Sequence, residues 1–153
     1  MKTSPLLLLI LFASSFKVTA QRTEQFGKFT DQNATAIRGT SLEKGYERQL
    51  QILNLQVVST TTTTVFITIP NAASVISFQS LVNTKSVLQS GEISVLKLEA
   101  ERKVLSQKIV MASIKVKSVV TIDNAVRIEL IPGSFQQTFY TTDRNGKLIQ
   151  SKN

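Results

Sequence analysis

The chain has 153 residues, enough for one ordinary domain and not for two. It carries 18 Lys and Arg against 10 Asp and Glu, a net charge of +8, with no Cys, no His and no Trp. Disulfides, thiolate nucleophiles, imidazole acid–base chemistry and the usual zinc ligand sets are thereby excluded.

The first stretch reads as a secretory signal. Lys2 supplies the positive end, residues 6–16 form an apolar run of eleven, and Val18-Thr19-Ala20 precedes Gln21 as a cleavage site. Eleven residues rise about 16 Å as a helix, too short to cross a bilayer, so no stable membrane insertion is expected. No Cys follows the run, which rules out a lipidated Cys at the mature end. The expectation is an exported chain, periplasmic or extracellular, that begins at Gln21 with a charge of +6. Its basic residues are dispersed and lack interleaved aromatics, so no nucleic-acid partner is expected.

Residues 21–33 are polar with Phe26 and Phe29, and the segment 21–35 reads as a flexible terminus or short edge strand. Asn33-Ala34-Thr35 matches a glycosylation acceptor, although the same triplet serves as a plain loop. A polar loop follows, Thr40-Ser41-Leu42-Glu43-Lys44-Gly45-Tyr46, bounded by Gly39 and Gly45, where the backbone must turn. Residues 47–59 read as a strand running into the threonine run 60–64, itself a hairpin or exposed strand edge.

Val65, Ile67 and Ile69 alternate as a strand does, and Pro70 stops it. Residues 75–81 read as another strand, 83–90 as a short helix or crossover, and 92–101 as a strand. Residues 102–106 are a plausible turn. The spine of the domain is 106–131, where Val110, Ala112, Ile114 and Val116 alternate against Lys115 and Lys117, and Val126, Ile128 and Leu130 against Arg127 and Glu129. Pro132-Gly133 reads as a turn, 135–142 as a strand, and Asp143-Arg144-Asn145-Gly146 as a tight turn. The sum is a mainly β domain over 36–149, a small β-barrel of two antiparallel sheets with at most one short helix, followed by a polar tail at 150–153.

Catalytic chemistry finds little to work with. Glu99 and Glu101 stand about 7 Å apart if they share a strand face, and Glu43 and Glu47 share a face only if their stretch is helical. Neither pair has a supporting motif. No calcium loop or glycine-rich phosphate loop is present. The reading is a protein that is not an enzyme and takes no cofactor or metal.

Two regions carry a family resemblance. Ile37-Arg38-Gly39-Thr40-Ser41, Lys44-Gly45-Tyr46 and Gln49-Leu50-Gln51-Ile52-Leu53 resemble the opening of the haemolysin-coregulated protein (Hcp) family, the tube proteins of type VI secretion. Gly39 and Ser41 match that family's loop, with Arg38 in place of its Lys and Thr40 in place of its Glu. Tyr140-Thr141-Thr142-Asp143-Arg144-Asn145-Gly146-Lys147 resembles its tail. Between them, 83–91 takes the family's helix position and 108–120 its long strand.

The resemblance implies a barrel of two sheets with a helix on one side, and self-association into a hexameric ring that stacks into a tube. It also implies an effector or secretion-apparatus protein as partner. By position it puts Thr40, Ser41, Leu42, Glu43, Lys44, Gly45 and Tyr46 at a ring-to-ring contact, and Lys115 and Lys117 on an exposed sheet face or the lumen wall. The helix segment lacks the family's Ser-Pro start, and tube subunits assemble in the cytoplasm whereas this chain carries an export signal. Two readings therefore stand: an Hcp-like ring- or tube-forming structural protein, or an exported β-barrel binding module with no tube role.

Overall fold

The computed structural model describes residues 22–151. The expected signal segment and its cleavage position, and the last two residues of the expected tail, lie outside them. In chain order the elements are β1 (Thr23–Asp31), β2 (Ala36–Ile37), β3 (Leu50–Ile52), β4 (Asn54–Ser59), β5 (Thr63–Pro70), α1 (Ser74–Thr84), β6 (Val87–Glu99), β7 (Arg102–Ile122), β8 (Ala125–Thr142) and β9 (Leu148–Gln150).

The expected spine is present and longer than its sequence pattern indicates. β7 and β8 span 21 and 18 residues and pair antiparallel around Asp123-Asn124, where Asp123 takes a φ of 53°. β7 already starts at Arg102, because the preceding turn is made by Ala100 and Glu101, both at positive φ. Pro132-Gly133 is no turn: β8 runs straight through it, still paired to β7 at Pro132.

The expected two-sheet barrel is not what forms. All nine strands belong to one antiparallel sheet in the order β2-β1-β6-β7-β8-β5-β4, with β3 also paired to β1 and β9 to β8, and the sheet is not closed. The physical reason lies in the two long strands. Each carries residues of both halves of the sheet, so the halves never separate into two layers with their own strands. The Leu53 N–H donates to the Thr68 carbonyl at 2.7 Å, at the end of the β4–β5 ladder that begins with Asn54 opposite Thr68.

The sheet instead reverses its buried face along one row. Ile109 and Met111 are buried on one parity of β7, and Ile114 and Val116 on the other. Ser113 lies between them at a φ of 51°, skipped by both ladders, which pair Ala112 with Ser90 and Ser134 and Ile114 with Leu88 and Pro132. β6 switches in the same way, from Leu88 to Gly91 and Ile93. One left-handed residue in the middle strand turns the following side chains over, which is why simple alternation across 110–116 assigned Val110 to the core when it is 43 % exposed.

Residues 75–81, expected as a strand, belong to α1 instead. Val75, Phe78 and Val82 recur at i, i+3 and i+7, a helical stripe, with Val75 and Phe78 buried and Leu81 and Val82 packed on the core. Pro70 ends β5, and the helix ends at Lys85, whose left-handed φ of 54° lets the Lys85 and Ser86 N–H groups donate to Val82 and Leu81. The segment 83–91, expected to carry the helix, therefore holds the helix end and the start of β6. Phe78 meets Phe29 of β1 edge to face, ring centroids 5.7 Å apart. Gly91 makes room for that pair: a Cβ there would lie 2.8 Å from two Phe29 ring atoms and 2.7 Å from Ile114 Cδ1.

The segment expected as a flexible terminus or short edge strand forms β1, nine residues paired along almost its whole length to β6. Residues 47–59 split into β3 and β4 at Leu53, and the threonine run turns between β4 and β5 at 60–62.

Candidate functional site

The loop 40–46 leaves β2 and folds back over the outer face of β1. Its base is pinned by backbone bonds: the Gly39 N–H donates to the Arg48 carbonyl at 2.7 Å, and the Arg48 N–H to Ser41 at 2.8 Å. Gly39 is obligatory here, since a Cβ would fall onto the backbone of Gln49. Ser41 is buried, and its Oγ accepts the Glu43 N–H. The Tyr46 N–H donates to the Glu43 carbonyl at 2.9 Å, closing a turn over Lys44 and Gly45.

Two side chains fasten this loop to the sheet. The Tyr46 ring stacks on Phe26 at 4.9 Å between centroids, so Phe26 is buried although it faces away from the main core. Lys103, at the start of β7, donates from Nζ to Glu43 at 2.5 Å and to Glu24 at 2.9 Å. Its bonds to Glu24 and then Glu43 hold the Lys103 ammonium above its ordinary range. Glu47 accepts the Gly45 N–H at 2.9 Å, and bonds from its own backbone N–H and that of Gly45 hold its carboxyl below the usual range.

The result is a loop fixed at its base and bare at its crest. Leu42 is 94 % exposed, while Ser41 beside it is buried. A leucine held in water by a fastened backbone gains about 1.5–3 kcal/mol if another surface covers it.

Lys115 and Lys117 are both exposed, as the alternation required. They are not near the loop. Lys103, which touches it, precedes them on β7 by twelve and fourteen residues, about 40 Å of strand contour. Lys117 is the extra residue of a bulge opposite Glu129, and its Nζ donates to Glu129 Oε1 at 2.8 Å while Ser118 Oγ donates to Oε2 at 3.1 Å. These bonds, Lys117 first, hold the Glu129 carboxyl below its usual range. Beyond the bulge, Val120 and Ile122 are each about half exposed, and Arg127 lies 4.3 Å over the Phe66 ring on the same face. Sequence reasoning named the loop and the two lysines but missed Lys103 and Phe26, which position the loop; neither has a local signal, since Lys103 is 60 residues from Glu43.

Paired carboxylates do not converge. Glu99 bonds Lys97 at 2.6 Å and accepts from Thr142 Oγ1, whereas Glu101 sits in the hairpin turn. Glu43 and Glu47 serve the loop as described. Among the described residues no three acidic side chains gather as a metal site, and no helix is long and apolar enough to cross a membrane. A cavity of about 660 Å³ lies between β2 and α1; its one carboxylate, Asp31, is already bonded to backbone N–H groups.

No family model matches the chain, and no curated protein matches it. Solved structures do. A mutant of the Hcp1 protein from E. coli EAEC 042 is 16 % identical and covers 84 % of this chain and 97 % of its own, with a TM-score of 0.68. Hcp1 from Salmonella typhimurium is 11 % identical over 84 % of this chain and 91 % of its own, at 0.67. The secreted protein Hcp3 from Pseudomonas aeruginosa is 11 % identical over 83 % and 97 %, also at 0.67. At such identities the likeness speaks of backbone arrangement alone: the chain has the fold of the Hcp proteins.

Proposed function

We propose that the protein is an exported structural subunit of the Hcp type, which assembles into a hexameric ring and stacks through the loop 40–46. The observation that carries this reading is the fold, shared over 83–84 % of the chain with proteins described as Hcp and as secreted. The bare crest at Leu42, on a loop fastened by Tyr46 and Lys103, supports the stacking role. Lys115 and Lys117 lie at the other end of β7, on a wall open to a neighbouring subunit or to an enclosed effector. The part played is mechanical; among the described residues no three acidic side chains gather as a metal site.

Sedimentation with light scattering tests the ring. A hexamer is expected, and a clean monomer up to high concentration overturns it in favour of an exported binding module without a tube. Leu42→Asp separates ring from stack: single rings persist, and end-to-end stacks seen by electron microscopy disappear. Stacks that survive the charge refute the loop's role. Cell fractionation tests export: the expected product lacks residues 1–20, and an intact chain in the cytoplasm refutes it.

A further inference from the structure

The tip of the β1–β2 hairpin carries the sequence Asp31-Gln32-Asn33-Ala34-Thr35. We propose that Asn33 is an N-glycan acceptor, whose side-chain amide takes one oligosaccharide from a polyprenyl-diphosphate-linked donor. Asn-x-Thr triplets are common, and most are ordinary loop sequence. What distinguishes this one is how the fold leaves it.

Asp31 makes all the bonds that shape the tip. Its N–H donates to the Thr35 carbonyl at 2.9 Å and its carbonyl accepts the Ala34 N–H at 3.2 Å. Its carboxylate Oδ1 accepts the Asn33 N–H at 2.9 Å and the Thr35 N–H at 2.8 Å. The tip is therefore held without any use of the Asn33 amide or the Thr35 hydroxyl, neither of which bonds to another described residue. Asn33, Ala34 and Thr35 are all exposed and lie outside the β1–β2 ladder, which ends at Thr30 and Ala36. Ala34 at a φ of 59° bends the triplet into a turn.

An amide nitrogen is a poor nucleophile because its lone pair is shared with the carbonyl, so the transferase must bind the whole side chain and twist it. An amide already committed to the fold is closed to that; this one is open, and the threonine two residues on offers its hydroxyl for recognition. In the transfer, a bond forms between Asn33 Nδ2 and the anomeric carbon of the reducing-end sugar. The bond from that carbon to the diphosphate oxygen breaks, its electron pair leaves on the polyprenyl diphosphate, and one amide proton passes to a base of the transferase. No oxidant or reductant is needed.

The inference rests on the exported reading, since such transfer takes place outside the cytoplasm, and the experiment separates the two. The full chain is expressed in a host that holds an oligosaccharyltransferase and its lipid-linked donor, once with its own N-terminus and once behind a proven export signal. Intact mass and glycopeptide mapping are read on the exported fraction. One oligosaccharide on Asn33 is expected, lost in Asn33→Gln and Thr35→Ala, retained in Thr35→Ser, with melting temperatures unchanged. An unmodified chain behind the proven signal overturns the proposal. A glycosylated chain there, with residues 1–20 uncleaved in the native version, leaves the acceptor standing and refutes the native export signal.

Discussion

Replacing Gly91 with alanine inserts a methyl group where β6 passes beneath Phe29. The new carbon would meet Ile114 Cδ1 at 2.7 Å and two carbons of the Phe29 ring at 2.8 Å. Ile114 can yield a little, because the close atom is the end of its side chain. Phe29 cannot: it is fully buried and its ring stands edge-on against Phe78. Overpacking of this kind costs about 1–3 kcal/mol, offset by about 0.5 kcal/mol for replacing glycine within a strand. For a domain of this size each kcal/mol moves the melting temperature by about 2–4 °C, so a fall of roughly 1–10 °C is expected. The assay is thermal and urea melting of the wild type, Gly91→Ala, Phe29→Leu and the double variant. Phe29→Leu opens space that the methyl group fills, so the two changes should couple by at least about 0.5 kcal/mol, with the double variant more stable than the sum predicts. A neutral Gly91→Ala, or strictly additive costs, refutes the packing of β1, β6 and α1 described above.

Lys85→Gly relieves a left-handed residue at the helix end and should raise stability by about 0.5–1 kcal/mol, read from urea midpoints; a loss would refute the capping geometry. Acid should weaken the Lys117–Glu129 bulge in a defined direction. The Glu129 carboxyl is held below 4.5 when folded, so its contribution is fully present above the unfolded value and disappears as pH falls through the depressed one. The stability difference between wild type and Glu129→Gln should thus be largest near neutral pH and shrink as the pH falls through and below the usual carboxylate range; a pH-independent difference refutes the linkage.

Alternation with a period of two found β5 and the two long strands, and Asp143-Arg144-Asn145-Gly146 found the last turn, where the Asp143 carboxylate accepts the Asn145 and Lys147 N–H groups. These succeed because strand faces and tight turns are local. β1 was expected only as a flexible terminus or short edge strand because both its faces are covered: Phe29 enters the main core and Phe26 lies under Tyr46, which blurs the alternation. α1 was misread because Ser77 and Gln79 alternate with Ile76 and Phe78, which also fits a short strand. The loop 40–46 was legible through Gly39 and Gly45, yet its fasteners were not, since Lys103 and Phe26 are distant in the chain.

Composition alone decided that thiol and imidazole side chains have no part here, and local pattern indicated antiparallel strands but not the 21- and 18-residue lengths of β7 and β8. Which face of each strand is buried was settled only by the tertiary fold. A side chain's neighbours across a sheet come from elsewhere in the chain, and one residue with positive φ, Ser113, exchanges inside and outside on β7 for Ile114 and Val116, before the bulge at Lys117 shifts the parity again and turns Val119 to the core. For the same reason the single open sheet replaced the expected barrel: strand pairing is local enough to foresee, but whether the last edge meets the first depends on where the two longest strands turn.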